Sequence, residues 1–265
     1  MRQRNLLGIQ VSSTDYAGAC EAIRIAAEQR RPLAVTALAV HGVMTGVLDP
    51  AHRSRLNALD MVLPDGQPVR WGLNLLYGEG LKDRVCGPQL MLDVCAMAAR
   101  TGLSIGFYGN RPAVLEELCG KLLARFPGLR IAACMPSRFG RVDQLEQAAV
   151  AAAIEDSGTD ILFVGLGCPR QEVWVYENRD RLRMPILAVG AALDFHAGRI
   201  ALAPGWMQRA GLEWCFRLWQ EPRRLWRRYI LLNPLYLAML AAQKLRLRRY
   251  AADGAGRPVS FEGYA

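Results

Sequence analysis

The sequence predicts an α/β protein with a Rossmann-like parallel sheet core, followed by a helical C-terminal appendage. Three observations support this fold class. From residue 103 onwards, short apolar segments alternate with helical patterns, which is typical of consecutive β-α units. One apolar segment ends in the glycine-containing turn Gly165–Glu172, a strand-to-helix connection. Beyond residue 205 the pattern changes to helices that are rich in arginine and tryptophan.

This change of pattern divides the chain. We expect an α/β core over residues 1–205, a basic and apolar appendage over residues 206–250, and a disordered tail over residues 251–265. Apolar residues make up 52% of the chain and charged residues 22%, as in a globular protein. The length of 265 residues is sufficient for a full hydrophobic core.

Cysteine usage and hydropathy indicate the compartment. The seven cysteines show no Cys-x-x-Cys motif and no Cys/His metal spacing, and no signal peptide is recognisable. We therefore expect free thiols in a reducing cytoplasm. No apolar run approaches the roughly 18 to 20 residues that span a bilayer, so we expect neither a secreted nor a transmembrane protein.

The first part of the chain predicts a strand over residues 5–11, a helix over residues 16–30 and a strand over residues 33–39 that leads into a helix at about 40–48. Thr36 lies in the second of these strands, where its hydroxyl could meet a ligand. Threonine is also a common strand residue, so a purely structural role remains the alternative.

A second polar position follows the apolar segment Met61-Val62-Leu63. The segment ends at Pro64-Asp65-Gly66, a strong turn signal. Asp65 either caps this turn or the next helix, or stands at the carboxyl edge of a strand as a general base. Arg84 precedes Gly87-Pro88-Gln89, where a helix begins that runs to about Arg100. It is suited to bind a phosphate or carboxylate in a bidentate manner, with a solvated arginine as the alternative.

The regular alternation predicts strands over residues 103–108, 129–134, 160–164 and 185–189, and helices over residues 112–126 and 143–155 and from Gln171. Gly109 and Asn110 close the first of these strands before a helix, which is a plausible anion site. The turn does not match Gly-x-Gly-x-x-Gly, and no acidic residue ends a following strand, so a dinucleotide-binding enzyme is disfavoured.

The turn Gly165–Glu172 has the features of a ligand site. Gly165 and Gly167 allow a sharp turn or a close backbone approach, and Pro169 is suited to begin a helix. Gln171 and Glu172 then fall in the first helical turn, at the edge where open α/β sheets bind ligands. An ordinary strand-to-helix connection is the alternative.

After residue 189 the segment Gly190–Gly198 predicts a loop that carries Asp194, either as a site residue or to fix backbone geometry. The chain has no Asp-x-Asp pair to chelate a nucleotide-bound cation. Its three histidines, His41, His52 and His196, have no ligand spacing. We therefore expect no metal and no other cofactor.

The positive charge is concentrated near the C-terminus. The net charge is +9, and the segment Pro222–Arg249 contains eight lysines and arginines and no acid. Arg217, Arg224 and Arg228 recur at intervals of 7 and 4, which places them on one helix face. With the apolar tract over residues 229–242, this pattern favours a membrane-binding appendage that lies on anionic lipid. Nucleic acid is the disfavoured partner, and a core helix with a solvated face is the plain alternative.

The motifs together resemble the WecG/TagA/CpsF family of bacterial glycosyltransferases, over roughly residues 5 to 245. They occur in order along the chain: Pro64-Asp65-Gly66, Arg84 with Gly87-Pro88, Gly165–Glu172, Asp194–Gly198, Ala203–Trp206, Gly211–Arg217 and Glu221–Arg224. The resemblance implies an inverting, metal-independent enzyme with its own α/β architecture. Such enzymes transfer a sugar from a UDP-sugar donor to an undecaprenyl-diphosphate-linked saccharide, a polyprenyl-diphosphate-linked acceptor, in cell-surface or exopolysaccharide synthesis. The implied place is the cytoplasmic face of the inner membrane, where the protein is peripheral.

The resemblance also implies roles for residues. Asp65 matches the proposed base, Thr36 and Gln171 match residues that line the site, and the appendage arginines Arg217, Arg224 and Arg227 complete it by motif position. The chain departs from the family at Leu38, where members commonly have asparagine. This leaves N-acetylmannosamine, its uronic acid and glucose open as donor sugars. The alternative function is a non-catalytic nucleotide-binding regulator that its basic segment recruits to the membrane, and the oligomeric state stays open.

Overall fold

The computed structural model describes residues 1–138 and 144–252. The tail expected over residues 251–265 lies outside these residues from position 253 onwards, and Asp143 lies outside them as well. Within the described residues the elements follow in this order: β1 Arg2–Leu6, β2 Ile9–Ser13, α1 Tyr16–Glu28, β3 Leu33–Leu38, α2 Val40–Leu48, α3 Pro50–Asn57, β4 Met61–Pro64, α4 Gln67–Tyr77, α5 Gly87–Thr101, β5 Ser104–Gly109, α6 Pro112–Arg125, β6 Arg130–Met135, α7 Gln144–Asp156, β7 Ile161–Gly165, α8 Arg170–Asn178, β8 Pro185–Ala188, α9 Ala192–Ala197, α10 Gly205–Arg209, α11 Glu213–Gln220 and α12 Pro222–Lys244.

Six strands form one parallel sheet in the order β4-β3-β8-β7-β5-β6, which confirms the predicted α/β class. The central strands β7 and β8 are apolar throughout and bury both faces, so they read as continuous hydrophobic runs in the sequence. The chain first pairs β3 with β4, then crosses to the other side of the sheet and returns through β7 to β8, which lies beside β3. The carboxyl ends of β3, β4, β7 and β8 therefore stand next to one another.

Helices cover both faces of the sheet and enclose two hydrophobic clusters. One cluster contains Leu162 and Ile186 with Trp174 of α8, and the other contains Phe107, Phe163 and residues of α1, α5 and α6. Phe107 and Phe163 stack with their ring centroids 5.5 Å apart. Successive side chains of a strand point to opposite faces of the sheet, so the two clusters lie on the two faces of the same sheet.

The N-terminus differs from the single strand expected over residues 5–11. The chain forms a two-stranded antiparallel hairpin, β1 and β2, that turns at Leu7 and Gly8. Both turn residues have a positive φ, of 56° and 93°, and the side chain of Asn5 accepts a hydrogen bond from the Gly8 N–H at 2.7 Å. A leucine at a positive φ gives no turn signal, so the apolar run concealed this turn.

Two further expectations on local structure are corrected. The segment expected to be a loop over Gly190–Gly198 contains the short helix α9, which Gly198 ends in a left-handed conformation. The helix after β7 begins at Arg170, and Pro169 occupies the preceding position with a cis peptide bond to Cys168.

The helix α12 is continuous through Pro234, where the sequence suggests a break. Its side chains Leu225, Tyr236 and Leu240 are buried, and the last two belong to the cluster that also contains Leu6 and Leu73. Packing against the core therefore compensates for the backbone hydrogen bond that proline cannot donate. Among the described residues, none of the helices has the length and apolarity needed to cross a bilayer.

The end of α12 is fastened to the N-terminal hairpin. Gln243 receives a hydrogen bond from the Leu7 N–H at 3.0 Å and donates to the Asn5 carbonyl at 2.9 Å. Asn5 donates in turn to the Tyr250 carbonyl at 2.7 Å. The boundary expected at residue 205 stays a prediction, since the appendage and the core share these contacts.

Candidate active site

A cavity of about 250 Å³ opens between the sheet and the C-terminal helices. Its lower side, here called the floor, consists of the carboxyl ends of β3, β4, β7 and β8 with the turns that follow them. Its upper side, here called the roof, consists of side chains from α11 and α12. Ligands of open α/β sheets bind at this edge, because the turns there are free to expose backbone and polar groups.

Asp65 lies on the floor, directly after β4. Its backbone N–H donates to the carbonyl of Leu38 at 3.1 Å, which joins the ends of β3 and β4. Its carboxylate accepts a hydrogen bond from the Gly87 N–H at 3.4 Å, at the beginning of α5. Gly66 follows with a φ of 87°, a conformation that glycine adopts without strain and that turns the chain sharply into α4. The side chain is thus held in place at the cavity wall.

The surroundings of Asp65 favour a carboxyl that exchanges a proton near neutral pH. Burial raises its pKa to about 6, and the nearby Glu213 carboxylate adds to the rise, while the Arg84 guanidinium opposes it. A carboxylate with a pKa in this range is ionised at neutral pH and is a stronger base than an ordinary aspartate. The structure places this sequence-predicted residue at the cavity wall, and its role as a base stays a prediction.

Arg84 connects the floor to the roof. It is nearly buried, lines the cavity, and forms an ion pair with Glu213 of α11. Its guanidinium also donates to the Gln208 side chain of α10 at 3.5 Å. The sequence raised a carboxylate as one partner for this arginine, and the structure supplies one from the protein itself.

Gln171 is fixed by hydrogen bonds on both sides of its amide. Its Oε1 accepts from the Gly190 N–H at 3.0 Å, and its Nε2 donates to Glu172 Oε1 at 2.8 Å. The Thr36 hydroxyl donates to the same Glu172 oxygen at 3.1 Å. Gln171 and Glu172 line the cavity, whereas Thr36 lies beneath it and is fully buried. Thr36 therefore supports the floor through Glu172.

The glycines of the predicted site divide into two kinds. Gly109 and Gly165 are paired neighbours on β5 and β7, so close that a Cβ on Gly109 would lie 2.8 Å from the Gly165 backbone. Their small size permits this strand contact, and with Asn110 they lie outside the cavity lining. Gly167 does line the cavity, with a φ of 80° and open space beside it.

The arginines of the roof are arranged as the helical spacing indicates. Arg217, Arg224 and Arg228 all line the cavity. Arg217 stacks on Phe195 at 4.8 Å and shares Glu221 with Arg224, at 3.0 and 2.5 Å. Arg227 lies outside the cavity, with its guanidinium over the ring of the neighbouring Trp226. The helical spacing of 7 and 4 therefore identified the three arginines that line the cavity. The family motif instead pointed to Arg227 in place of Arg228.

Asp194 lies in the first turn of α9 and does not line the cavity, although its neighbour Phe195 does. Sequence reasoning missed other lining residues, of which Glu213, Trp214 and Tyr229 come from the roof. Glu213 and Trp214 could have been found, because they lie within the family-like motif Gly211–Arg217. Tyr229 could have been found as well, because it directly follows Arg228, which the helical spacing had identified. Leu38 lines the cavity with an apolar side chain, where the family commonly has an amide.

The chain is similar to known glycosyl transferases over most of its length. The family model described as "Glycosyl transferase WecG/TagA/CpsF family" matches residues 4–250. A protein of Bacillus spizizenii strain W23 is 30% identical over 197 residues, which cover 74% of each chain. A protein of Bacillus subtilis strain 168 is 28% identical over 190 residues, which cover 71% of this chain and 72% of that one. Both are named N-acetylglucosaminyldiphosphoundecaprenol N-acetyl-beta-D-mannosaminyltransferase.

Proposed function

The chain belongs to the WecG/TagA/CpsF family of glycosyl transferases, and from this premise we propose that it transfers a sugar from a UDP-sugar to an undecaprenyl-diphosphate-linked saccharide. The observation that carries the proposal is the position of Asp65. This carboxylate stands at the wall of a cavity that four arginines also line, namely Arg84, Arg217, Arg224 and Arg228. A base beside a cluster of cations suits a reaction in which a hydroxyl attacks and a diphosphate leaves.

Asp65 is proposed as the general base. It accepts the proton of the acceptor hydroxyl while the oxygen attacks the anomeric carbon of the donor. The bond from this carbon to the UDP oxygen breaks on the opposite face, so the configuration inverts. One base suffices for this displacement. The pKa of Asp65, although raised to about 6, still lies below neutral pH, so the carboxyl is ionised there and is a stronger base than an ordinary aspartate.

The arginines are proposed to stabilise the leaving diphosphate without a metal ion. Arg217 and Arg224 are joined through Glu221, so their positions on the roof are coupled. Arg228 is partly buried and lines the same cavity. Fixed cations that face the developing negative charge lower the barrier most where water is excluded.

The substrates are inferred from the relatives. Both named relatives carry N-acetylmannosaminyl as the transferred group and an N-acetylglucosaminyl-diphosphoundecaprenol acceptor in their names. We expect the same pair here, with the uronic acid and glucose as the competing donors. Leu38 bears on this choice, because it removes an amide from the cavity wall.

The appendage is proposed to bind the membrane from the cytoplasmic side. Side chains of α10 to α12 expose a large apolar surface next to the arginines: Trp206, Trp219, Trp226, Ile230, Leu231 and Leu237. Apolar and aromatic side chains beside cations are typical of helices that lie on anionic lipid. A lipid-linked acceptor would reach the cavity from that surface.

The experiment is a donor panel with a short lipid-linked acceptor, scored by UDP release and by the anomeric configuration of the product. We expect release that requires the acceptor, persists with EDTA and is greatest with UDP-N-acetylmannosamine. Tight UDP binding without turnover would instead establish a nucleotide-binding regulator. Retention of configuration would overturn the single-base mechanism and keep the transferase assignment.

A further inference from the structure

Three potential metal ligands meet beneath the cavity, and the proposed reaction uses none of them. His52 lies on α3, Cys168 in the turn after β7, and Glu172 in the first turn of α8. One ligand atom from each lies within 4.8 Å of the ligand atoms of the other two. His52 and Glu172 are almost completely buried, with exposures of 1% and 0%. Cys168 is partly buried and reaches the cavity wall.

Two of these side chains have unsatisfied polar atoms. Both ring nitrogens of His52 and the Oε2 atom of Glu172 are buried without a hydrogen-bond partner among the described residues. Each such atom destabilises the fold, because it has lost its hydrogen bonds to water without replacement. Native folds leave few of them, and a bound ion is one of the recognised explanations. A single bound ion would satisfy one ring nitrogen of His52 together with the Oε2 atom of Glu172.

The chemistry of the donors selects the ion. An imidazole nitrogen, a thiolate sulfur and a carboxylate oxygen are all ligand types that bind Zn²⁺, and a water molecule would supply the fourth tetrahedral position. Glu172 is already oriented through its other oxygen, which accepts from Thr36 and Gln171. The cavity gives the ion a route to the site, because Cys168 and Glu172 both line it.

We propose that His52, Cys168 and Glu172 bind one Zn²⁺ ion that fastens α3 to the turn between β7 and α8. The ion binds to the thiolate, so the Cys168 thiol loses its proton to solvent on binding. The role is structural, since the ion holds the floor while Asp65 and the arginines perform the proposed transfer. This inference does not depend on the proposed function, because metal content and stability are its readouts.

The test uses the purified full chain after removal of metal with a chelator. We expect one equivalent of Zn²⁺ to bind, measured by competition with a chromogenic chelator and by elemental analysis. At a zinc concentration of about 100 times Kd, Tm should rise by about 5 to 10 °C. His52→Gln and Cys168→Ser should each weaken binding by about 100-fold or more, and Cys215→Ser, which alters a partly buried thiol on α11, should leave it unchanged.

A second measurement on the unaltered chain protects the test against variants that fail to fold. Co²⁺ in place of Zn²⁺ should give a cobalt–thiolate charge-transfer band, and Zn²⁺ should shield Cys168 but not Cys215 from alkylation. Binding below one equivalent, or equal binding by His52→Gln and the unaltered chain, would overturn the proposal. Absence of the thiolate band would overturn it as well.

Discussion

The floor and the roof of the cavity are built in different ways. On the floor, Gln171 is 2% exposed, and both polar atoms of its amide have a fixed partner, Gly190 for the oxygen and Glu172 for the nitrogen. On the roof, the Arg224 side chain is 60% exposed and is held by one carboxylate of its own segment. The floor thus resembles a preorganised catalytic surface, whereas the roof offers charge to more than one partner. Chemistry and membrane attraction should therefore be separable by mutation.

The largest effect is expected on the floor. Asp65→Asn keeps the size of the side chain and removes the proton acceptor, so kcat/KM should fall by about 10² to 10⁴ with little change in vesicle binding. Steady-state UDP release measures it. Asp194→Asn is the matched control, because Asp194 lies on α9 outside the cavity. Near-normal turnover of Asp65→Asn would remove this residue from the mechanism.

On the roof, two adjacent arginines sharpen the comparison. Arg228 lines the cavity and Arg227 does not, although both belong to the same turn of α12. Arg228→Ala should lower turnover by about 10- to 100-fold, as loss of a positioned contact to the leaving group does. Arg227→Ala should leave turnover almost unchanged and weaken binding to anionic vesicles slightly, by about 1 kcal/mol.

The two variants are compared on a short water-soluble acceptor, which removes the contribution of the membrane. Equal and small losses for Arg227→Ala and Arg228→Ala would mean that the roof arginines act only as an anchor. Loss of turnover confined to Arg227→Ala would favour the residue at the family motif position.

A smaller effect is expected at the apolar surface of the roof. Ile230 on α12 is 55% exposed, and its replacement by glutamate should weaken binding to anionic vesicles by about tenfold. Turnover of a water-soluble acceptor should stay constant. Leu123→Glu is the control, since Leu123 is exposed on α6 of the core. If both variants bind vesicles equally well, this face of α12 does not contact lipid.

The last prediction concerns stability and its dependence on pH. Because the pKa of Asp65 is raised to about 6 in the folded chain, from an ordinary 3.8, folding favours the protonated carboxyl. Its contribution to stability is present below about pH 4 and is lost as the pH rises through 6. Asp65→Asn should therefore be more stable than the unaltered chain at pH 8, by about 1 to 3 kcal/mol, and equally stable at pH 4.

Thermal unfolding at the two pH values measures this difference. A gain at pH 8 together with the loss of turnover would show that the carboxylate is retained at a cost to the fold. An Asp65→Asn chain that is less stable at pH 8 would mean that its pairing with Arg84 outweighs burial.

Much of the floor is predictable because local signals define it. The apolar runs of β4 and β7 end at Pro64-Asp65-Gly66 and at Gly165-Leu166-Gly167, and the structure places both turns at the same sheet edge. What the sequence lacks is the strand order, which decides that β5 with Gly109 and Asn110 falls outside the cavity. Its glycine signal reflects contact with Gly165 and not a ligand.

For the roof, the sequence predicts the helices and the face that carries the arginines, but not the contacts that join the roof to the floor. The charge run identifies the helices, and periodicity identifies the face with Arg228. The ion pair of Arg84 with Glu213 joins residues 129 positions apart, so no local sequence pattern predicts it. The same limit applies to His52, which meets Cys168 and Glu172 only through the packing of α3 near α8.

The fastening of α12 to the N-terminal hairpin has a consequence for how the protein is made. Gln243 bonds with Leu7 and Asn5, at sequence separations of 236 and 238. Contacts between residues so far apart in sequence form slowly, because bringing them together costs the entropy of closing a long loop. During synthesis the hairpin leaves the ribosome well before its partner helix α12, so its apolar side chains stay exposed until α12 has been made. A nascent chain that stops before α12 therefore exposes Leu6 and Leu73, and we expect it to be a target for chaperones.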